Sequence, residues 1–298
     1  MKPILVIGSS NTDMVIRVCN LPQPGQTVLG KNFQMFGGGK GANQAVAAQR
    51  AGGDVRFVAA VGSDDFGRAA LETLSIEGID TRYVQTLDGL SSGVAMIFVA
   101  DSGENCIGVA PGANNALTPE YLHSHEQIFA DISVLLVQLE TPIETVAAAI
   151  ELATQQGATC ILNPAPATPV PDRVIEALFC ITPNESEAEM LTGVTVTDEK
   201  SAAAAADELL QRGVKNVVIT MGRNGALLRN ASGSHRQTAE SVNVVDTTAA
   251  GDTFNGVLAT MLAKDRSMRD AIGIAVAAAT QSVQIAGAIA SIPHLGKL

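Results

Sequence analysis

The chain has 298 residues, of which 46% are hydrophobic and 16% charged, with a formal net charge of −11. That composition supports a sizeable core and excludes a disordered chain. The acidic balance, two Tyr and no Trp exclude the basic, base-stacking surface of a nucleic-acid binder.

The N-terminal M-K-P-I-L-V-I-G is too short for a signal segment and reads as a buried strand over 4–7. A polar loop, 9–13, follows it, then an apolar run over 14–18 and a Pro/Gly turn at 21–25. Residues 28–36 alternate loosely, as an edge strand does. Four glycines in five residues (37–41) break that strand and open a helix containing Ala42, Ala45, Val46 and Ala48. A flexible turn is one reading of this stretch. Close approach of backbone to a small polar ligand, with Asn43 in the first helical turn, is the other.

From residue 55 strands and helices alternate. Strands are predicted over 55–61, 134–139, 159–162, 179–182 and 217–220. Helices are predicted over 66–77, 143–155, 171–178, 185–191 and 200–212. Residues 94–100 and 105–109, joined by Asp101-Ser102-Gly103-Glu104, read as a hairpin. Residues 226–229 and 235–238 read as a late antiparallel pair, and helices over 252–263 and 268–285 close the chain. No run of 18 apolar residues occurs, so no membrane span is expected. The four cysteines show no metal-ligand spacing and fit reduced thiols in the cytoplasm.

This alternation predicts a three-layer α/β/α fold with a mainly parallel sheet, a single domain over 1–298. Segments 12–37 and 91–110 lack intervening helices and are expected to project as a small β-sheet lid. In such folds ligands bind beyond the carboxyl ends of the strands. The polar motifs lie at those ends: 11–13, 138–140, Asn163, 184–187, 220–225 and 246–252.

V-D-T-T-A-A-G-D-T-F-N (245–255) carries the most chemistry. Phe254, Val257, Leu258, Met261 and Leu262 mark a helix face, so Ala249, Ala250 and Gly251 sit at a helix N-terminus. Unpaired N–H groups and the helix dipole make that end an anion site. Asp252 beside it is then a base or a metal-orienting group. Asp13 and Asn11 suit vicinal hydroxyls, or merely a turn. Asn184 and Glu187 are a capping box or a pair near Mg²⁺-bound phosphate. Thr220, Gly222 and Gly225 form a tight connection or a wall for a nucleotide. No phosphate-binding G-x-x-x-x-G-K-[ST] occurs.

Taken together, G-S-S-N-T-D (8–13), G-G-K-G-A-N-Q-A (38–45), Q-L-E (138–140), N-P-A-P-A (163–167), T-P-N-E-S-E-A-E (182–189) and D-T-T-A-A-G-D-T-F-N-G (246–256) resemble the ribokinase/fructokinase-type carbohydrate kinases over nearly the whole chain. The N-T-D, G-G-K-G-A-N and Q-L-E motifs resemble the ribose-phosphorylating members. The resemblance implies transfer of the ATP γ-phosphoryl group to the 5-hydroxyl of D-ribose. It makes Asp252 the base and Ala249, Ala250 and Gly251 the anion hole. It assigns the sugar to Asn11, Asp13, Gly38, Gly39, Lys40, Asn43, Glu140 and Asp252 itself. It assigns ATP to Asn184, Thr220, Gly222, Gly225 and Gly251, with Glu187 toward Mg²⁺. It also implies a K⁺-type monovalent cation at Asp246, Thr248, Ser282, Ile285, Gly287 and Ser291, and a homodimer through the lid. Val276 stands where some relatives turn a polar residue to adenine. Same-fold kinases of 2-deoxyribose or a nucleoside, and a non-catalytic sugar-binding protein, are the alternatives.

Overall fold

The structure is a computed structural model describing residues 2–296; positions 1, 297 and 298 of the expected single domain lie outside the described residues. In chain order it runs β1 (Ile4–Ile7), β2 (Asn11–Val18), β3 (Asn32–Gly38), α1 (Lys40–Arg50), β4 (Val55–Gly62), α2 (Asp65–Ile76), β5 (Asp80–Leu87), β6 (Gly93–Ala100) and β7 (Asn105–Ala110). It continues with α3 (Pro119–His123), β8 (Val134–Val137), α4 (Ile143–Gln155), β9 (Thr159–Leu162), α5 (Asp172–Glu176), β10 (Cys180–Ile181), α6 (Glu185–Thr192), α7 (Glu199–Gln211) and β11 (Asn216–Thr220). The chain then forms β12 (Ala226–Asn230), β13 (Gly233–Gln237), α8 (Ala250–Ala263) and α9 (Met268–Ser282).

Nine strands make the main sheet, in the order β13-β12-β11-β10-β9-β8-β1-β4-β5. All neighbours are parallel except β11–β12 and β12–β13. The adjacent inner strands β1 and β8 are apolar throughout because both faces are covered. Along β1, Ile4 and Val6 point into one core and Leu5 and Ile7 into the other. The first core is closed by α1, α8 and α9, the second by α4, α6 and α7. Each fully buried aliphatic side chain contributes roughly 1.5–3 kcal/mol to this stack. Among the described residues no helix is long and apolar enough to cross a membrane.

The second sheet has four strands, β3-β2-β6-β7. Segments 12–37 and 91–110 therefore do pair with each other, through the parallel β2–β6 contact. Both of its faces carry solvent-exposed apolar side chains. Phe33, Met35 and Met96 share one face, and Ile107 and Val109 the other.

Several boundaries differ from the sequence reading. Asn11 and Asp13 lie on a strand, not in a loop, because β2 is paired on both sides. Residues 28–31 stay outside β3, which begins at Asn32. Strand β5 is absent from the reading: D-T-R-Y-V-Q-T-L is an edge strand with no clean apolar alternation. Helix α8 starts at Ala250 rather than at 252, and α9 ends at Ser282 rather than at 285.

Candidate active site

The N-termini of α1 and α8 meet at the carboxyl ends of β1 and β8. Their approach is set by Gly256, where a Cβ would lie 2.5 Å from the Gln44 carbonyl oxygen and 2.6 Å from the Ala47 Cβ. This contact sets the first turn of α1 over Asp252.

Asp252 is 7% exposed. Its Oδ2 accepts from Asn43 Nδ2 at 2.9 Å and its Oδ1 from Gln44 Nε2 at 3.0 Å. Gln44 is itself fixed: its Oε1 accepts from Gln138 Nε2 at 2.7 Å, and its Nε2 also donates to Asn163 Oδ1 at 3.0 Å. On the far side Thr182 donates to Asn255 Oδ1, whose amide donates to the Gly251 carbonyl. A ring of buried amides thus aims one carboxylate. The sequence motifs point to Asn43 as a site residue but assign Gln44 and Asn255 no role. Their neighbours in the G-G-K-G-A-N-Q-A and G-D-T-F-N motifs were the available signal.

Ala249 adopts a left-handed conformation, φ 60°, uncommon for a residue with a Cβ. It precedes the first turn of α8, where the N–H groups of Gly251 and Asp252 have no acceptor among the described residues. A Cβ built on Gly251 meets nothing within 4 Å. Two free donors, an open approach and the positive end of a helix form an anion site.

On the sugar side the expected residues interlock. The Asp13 carboxylate lies over Gly38, where a Cβ would sit 2.3 Å from Oδ2. Gly39, at φ 89°, passes against the Asn11 amide nitrogen. Glu140 Oε2 accepts from Ser9 Oγ at 2.5 Å and from the Lys40 backbone amide at 3.0 Å. Burial, then Glu140 and Asp252, push the Asp13 carboxyl up to about 6. Burial opposes the charge on Lys40, but Asp252, Glu140, Glu187 and Asp13 outweigh it and hold the ammonium above its ordinary range. The cluster holds four acids, Asp13, Glu140, Glu187 and Asp252, and one half-buried cation, Lys40.

On the other side of Asp252 opens a cavity of about 720 Å³. Asn184, Glu187, Thr220, Gly222, Gly225 and Gly251 all line it. Of the residues expected to hold the sugar, only Lys40 and Asp252 reach it. Its distal wall is apolar, with Val242, Val244, Val276, Ala279 and Val283. Asn184 and Glu187 do form the capping box of α6: Asn184 Oδ1 accepts from the Glu187 amide at 2.8 Å, and Glu187 accepts from the Asn184 amide at 2.9 Å. Burial raises the Glu187 carboxyl above its ordinary range, against the Asn184 amide and Lys40.

The residues expected around a monovalent cation only partly converge. Asp246 accepts from Thr248 N and Oγ1 at 2.9 and 2.7 Å and from the Gly287 amide at 2.9 Å. Partial burial works against its charge, yet these bonds outweigh it and hold the carboxyl below the ordinary carboxylate range. The Ser282 and Ser291 hydroxyls donate to the Ala279 and Ala288 carbonyls. Among the described residues Ile285 is tied to Ser282 through its amide alone. Arg50, without a part in the sequence reading, braces this segment. It donates to the Ile289 and Ile292 carbonyls at 2.8 and 2.6 Å while pairing with Glu77.

The profile of the pfkB family carbohydrate kinases matches residues 1–295. The chain belongs to the pfkB family of carbohydrate kinases. Within this family it is 44% identical to the ribokinase of Haemophilus influenzae, over 98% of this chain and 95% of that one. It is 37% identical to a deoxyribokinase of Salmonella typhi, over 98% and 96%. The solved Arabidopsis thaliana ribokinase complexed with ribose and ATP superposes with a TM-score of 0.92 at 30% identity, covering 98% of this chain and 96% of that one. The α/β/α fold with its small second sheet is thus the ribokinase-like fold of a sugar kinase.

Proposed function

We propose that this chain is an ATP-dependent ribokinase, phosphorylating D-ribose at O5. The observation that carries this reading is the position of Asp252. It lies between the Asn11–Asp13–Glu140 cluster and the cavity, beside two free N–H donors of α8. Asn11, Asp13, Gly38, Gly39, Asn43 and Glu140 hold the sugar. Asp252 Oδ accepts the proton of the 5-hydroxyl as that oxygen attacks the γ-phosphorus. The hydroxyl O–H bond breaks, the new O–P bond forms, and ADP leaves with the electrons of the old P–O bond. The Ala249–Gly251 turn receives the charge that develops on the transferring group, and Lys40 neutralises part of it.

ATP occupies the cavity lined by Asn184, Thr220, Gly222 and Gly225. Mg²⁺ fits the mouth near Glu187 through water, since Mg²⁺ keeps most of its waters beside substrate phosphates. It would supply charge neutralisation there. The ionised Asp246, with Thr248 and the backbone oxygens of 282–291, is chemically suited to K⁺. The exposed Phe33, Met35 and Met96 face supports a homodimer through the small sheet, and the free thiols support a cytoplasmic location.

ADP release over a panel of pentoses and nucleosides, with K⁺ present or replaced, tests the reading. D-ribose is expected to turn over fastest. No turnover with any pentose overturns the proposal, and faster turnover with 2-deoxyribose moves the substrate to the deoxy sugar.

A further inference from the structure

Asn11 sits at the start of β2 and is 6% exposed. Its neighbour Asn114 lies 103 residues away, in the single helical turn Gly112–Ala116 that follows the last strand of the small sheet. Asn114 is 1% exposed, and neither sequence motif nor kinase mechanism gives it a role. Its bonds fix the identity of its own two amide atoms. The Ser10 backbone N–H, which can only donate, points at one of them at 2.9 Å, so that atom is the oxygen. The other atom is therefore the NH₂, and it donates to Asn11 Oδ1 at 2.7 Å and to the Ser10 carbonyl at 3.3 Å. That bond turns the Asn11 oxygen toward Asn114. Asn11 Nδ2 has no partner among the described residues, and it is not sealed from solvent as a buried orphan atom would be.

The strand β6 holds the pair from the outside. Gly93 is the register partner of Asn11. A Cβ there would lie 2.1 Å from Asn11 Oδ1 and 2.3 Å from Asn114 Nδ2. Only glycine leaves room for this bond. Three elements thus combine to present one chemical face of one amide.

We infer that Asn114 is a positioning residue for sugar selectivity: it locks the Asn11 amide with its NH₂ toward the sugar, so that the site pairs a fixed donor at Asn11 with a fixed acceptor at Asp13. This rests on the ribose reading above. The donor requires an oxygen opposite it, and a sugar lacking that hydroxyl leaves it unpaired. Selection against the deoxy sugar then depends on a residue that does not face the ligand.

Asn114→Asp tests this. It keeps the volume and the acceptor for Ser10 N–H but cannot donate to Asn11 Oδ1. The Asn11 amide is then no longer held in one orientation, and the sugar meets an unfixed amide instead of a preorganised donor. The ratio of kcat/KM for D-ribose to that for 2-deoxyribose is expected to fall about tenfold, the worth of one buried hydrogen bond. In an Asn11→Ala background the same change is expected to leave the ratio unmoved, because the two residues act as one unit. An unchanged ratio in the single variant, or an equal fall in both backgrounds, overturns the inference. Gly93→Ala presses on the same bond from β6 and is expected to lower the ratio in the same direction; with thermal unfolding alongside, it serves if Asn114→Asp does not fold. Failure of the wild-type chain to phosphorylate any pentose would instead sink the ribose reading, a different result.

Discussion

The two sides of Asp252 are built differently. The sugar side is charged, half-buried and cross-braced: Asp13, Lys40 and Glu140 crowd one another, and Asn11 and Asn43 are each held by another side chain. The nucleotide side is an open cavity lined by backbone, small residues and valines, with polar side chains such as Arg223, Asn224 and Glu240 at its exposed edge. Fixed dipoles and charges discriminate hydroxyl patterns, because an unmatched buried polar group costs about 1–3 kcal/mol. Apolar walls and backbone N–H groups hold a flat base and phosphates with little discrimination. On the proposed function, sugar selectivity is therefore set on the braced side.

The largest expected effect lies at the junction. Asp252→Asn is expected to lower kcat about 10²–10⁴-fold, the usual worth of general-base assistance. Asn at 252 keeps one acceptor, for Gln44 Nε2, and turns its NH₂ toward Asn43, whose otherwise unpartnered Oδ1 can rotate to accept it, so ribose binding by calorimetry should stay close to wild type. Activity surviving the change would remove Asp252 as the base.

Next comes Asp13. Its folded pKa of about 6 stands above the ordinary 3.8. The folded state therefore binds this proton more tightly than the unfolded chain does. The stability so gained is complete below about 3.8 and is lost as pH rises through 6. At neutral pH the buried charge destabilises the free protein by about 1–3 kcal/mol. Asp13→Asn should raise Tm at pH 7.5 and leave it unchanged near pH 4. The same variant should raise the ribose KM about 100-fold, the price of a charged hydrogen-bond acceptor. In wild type the ribose KM should climb as pH falls through about 6, and that limb should vanish in the variant. A Tm unchanged or lowered at pH 7.5 would contradict the assignment.

The nucleotide side should respond less. Asn184→Ala removes the α6 cap, which is expected to cost about 1 kcal/mol in unfolding free energy. Its effect on the ATP KM should be several-fold, with the ribose KM unmoved; a loss confined to ribose would reverse the division of the site. Smallest of all, replacing ATP by GTP should change kcat/KM by no more than about fivefold, one net hydrogen bond. The only hydroxyl on α9 in that wall, Thr280 Oγ1, already donates to the Val276 carbonyl among the described residues. A hundredfold preference would show that the base is read.

The division also decides what the sequence could reveal. Local patterns were legible: the helices over Ile143–Gln155 and Glu185–Thr192, the strand Thr159–Leu162, the small-residue turn before Asp252 and the capping box at Asn184 all follow from spacing within one element. Gly38 and Gly39 were legible as a place of close approach. Asn114 was not, because its partner is 103 residues away and nothing in G-A-N-N-A marks which asparagine is buried. Arg50 was not, because its acceptors are carbonyls 239 and 242 residues downstream. Strand β5 was missed for a different reason: an edge position leaves its pattern free to be polar.

The most direct test of the central claim is where the phosphate goes. Carbon-13 NMR of the product from D-ribose, ATP, Mg²⁺ and K⁺ is expected to show phosphorus coupling at C5 and C4 and none at C1. Coupling at C1 and C2, or ADP formed while ribose stays unmodified, would contradict the placement of the 5-hydroxyl between Asp252 and the N-terminus of α8.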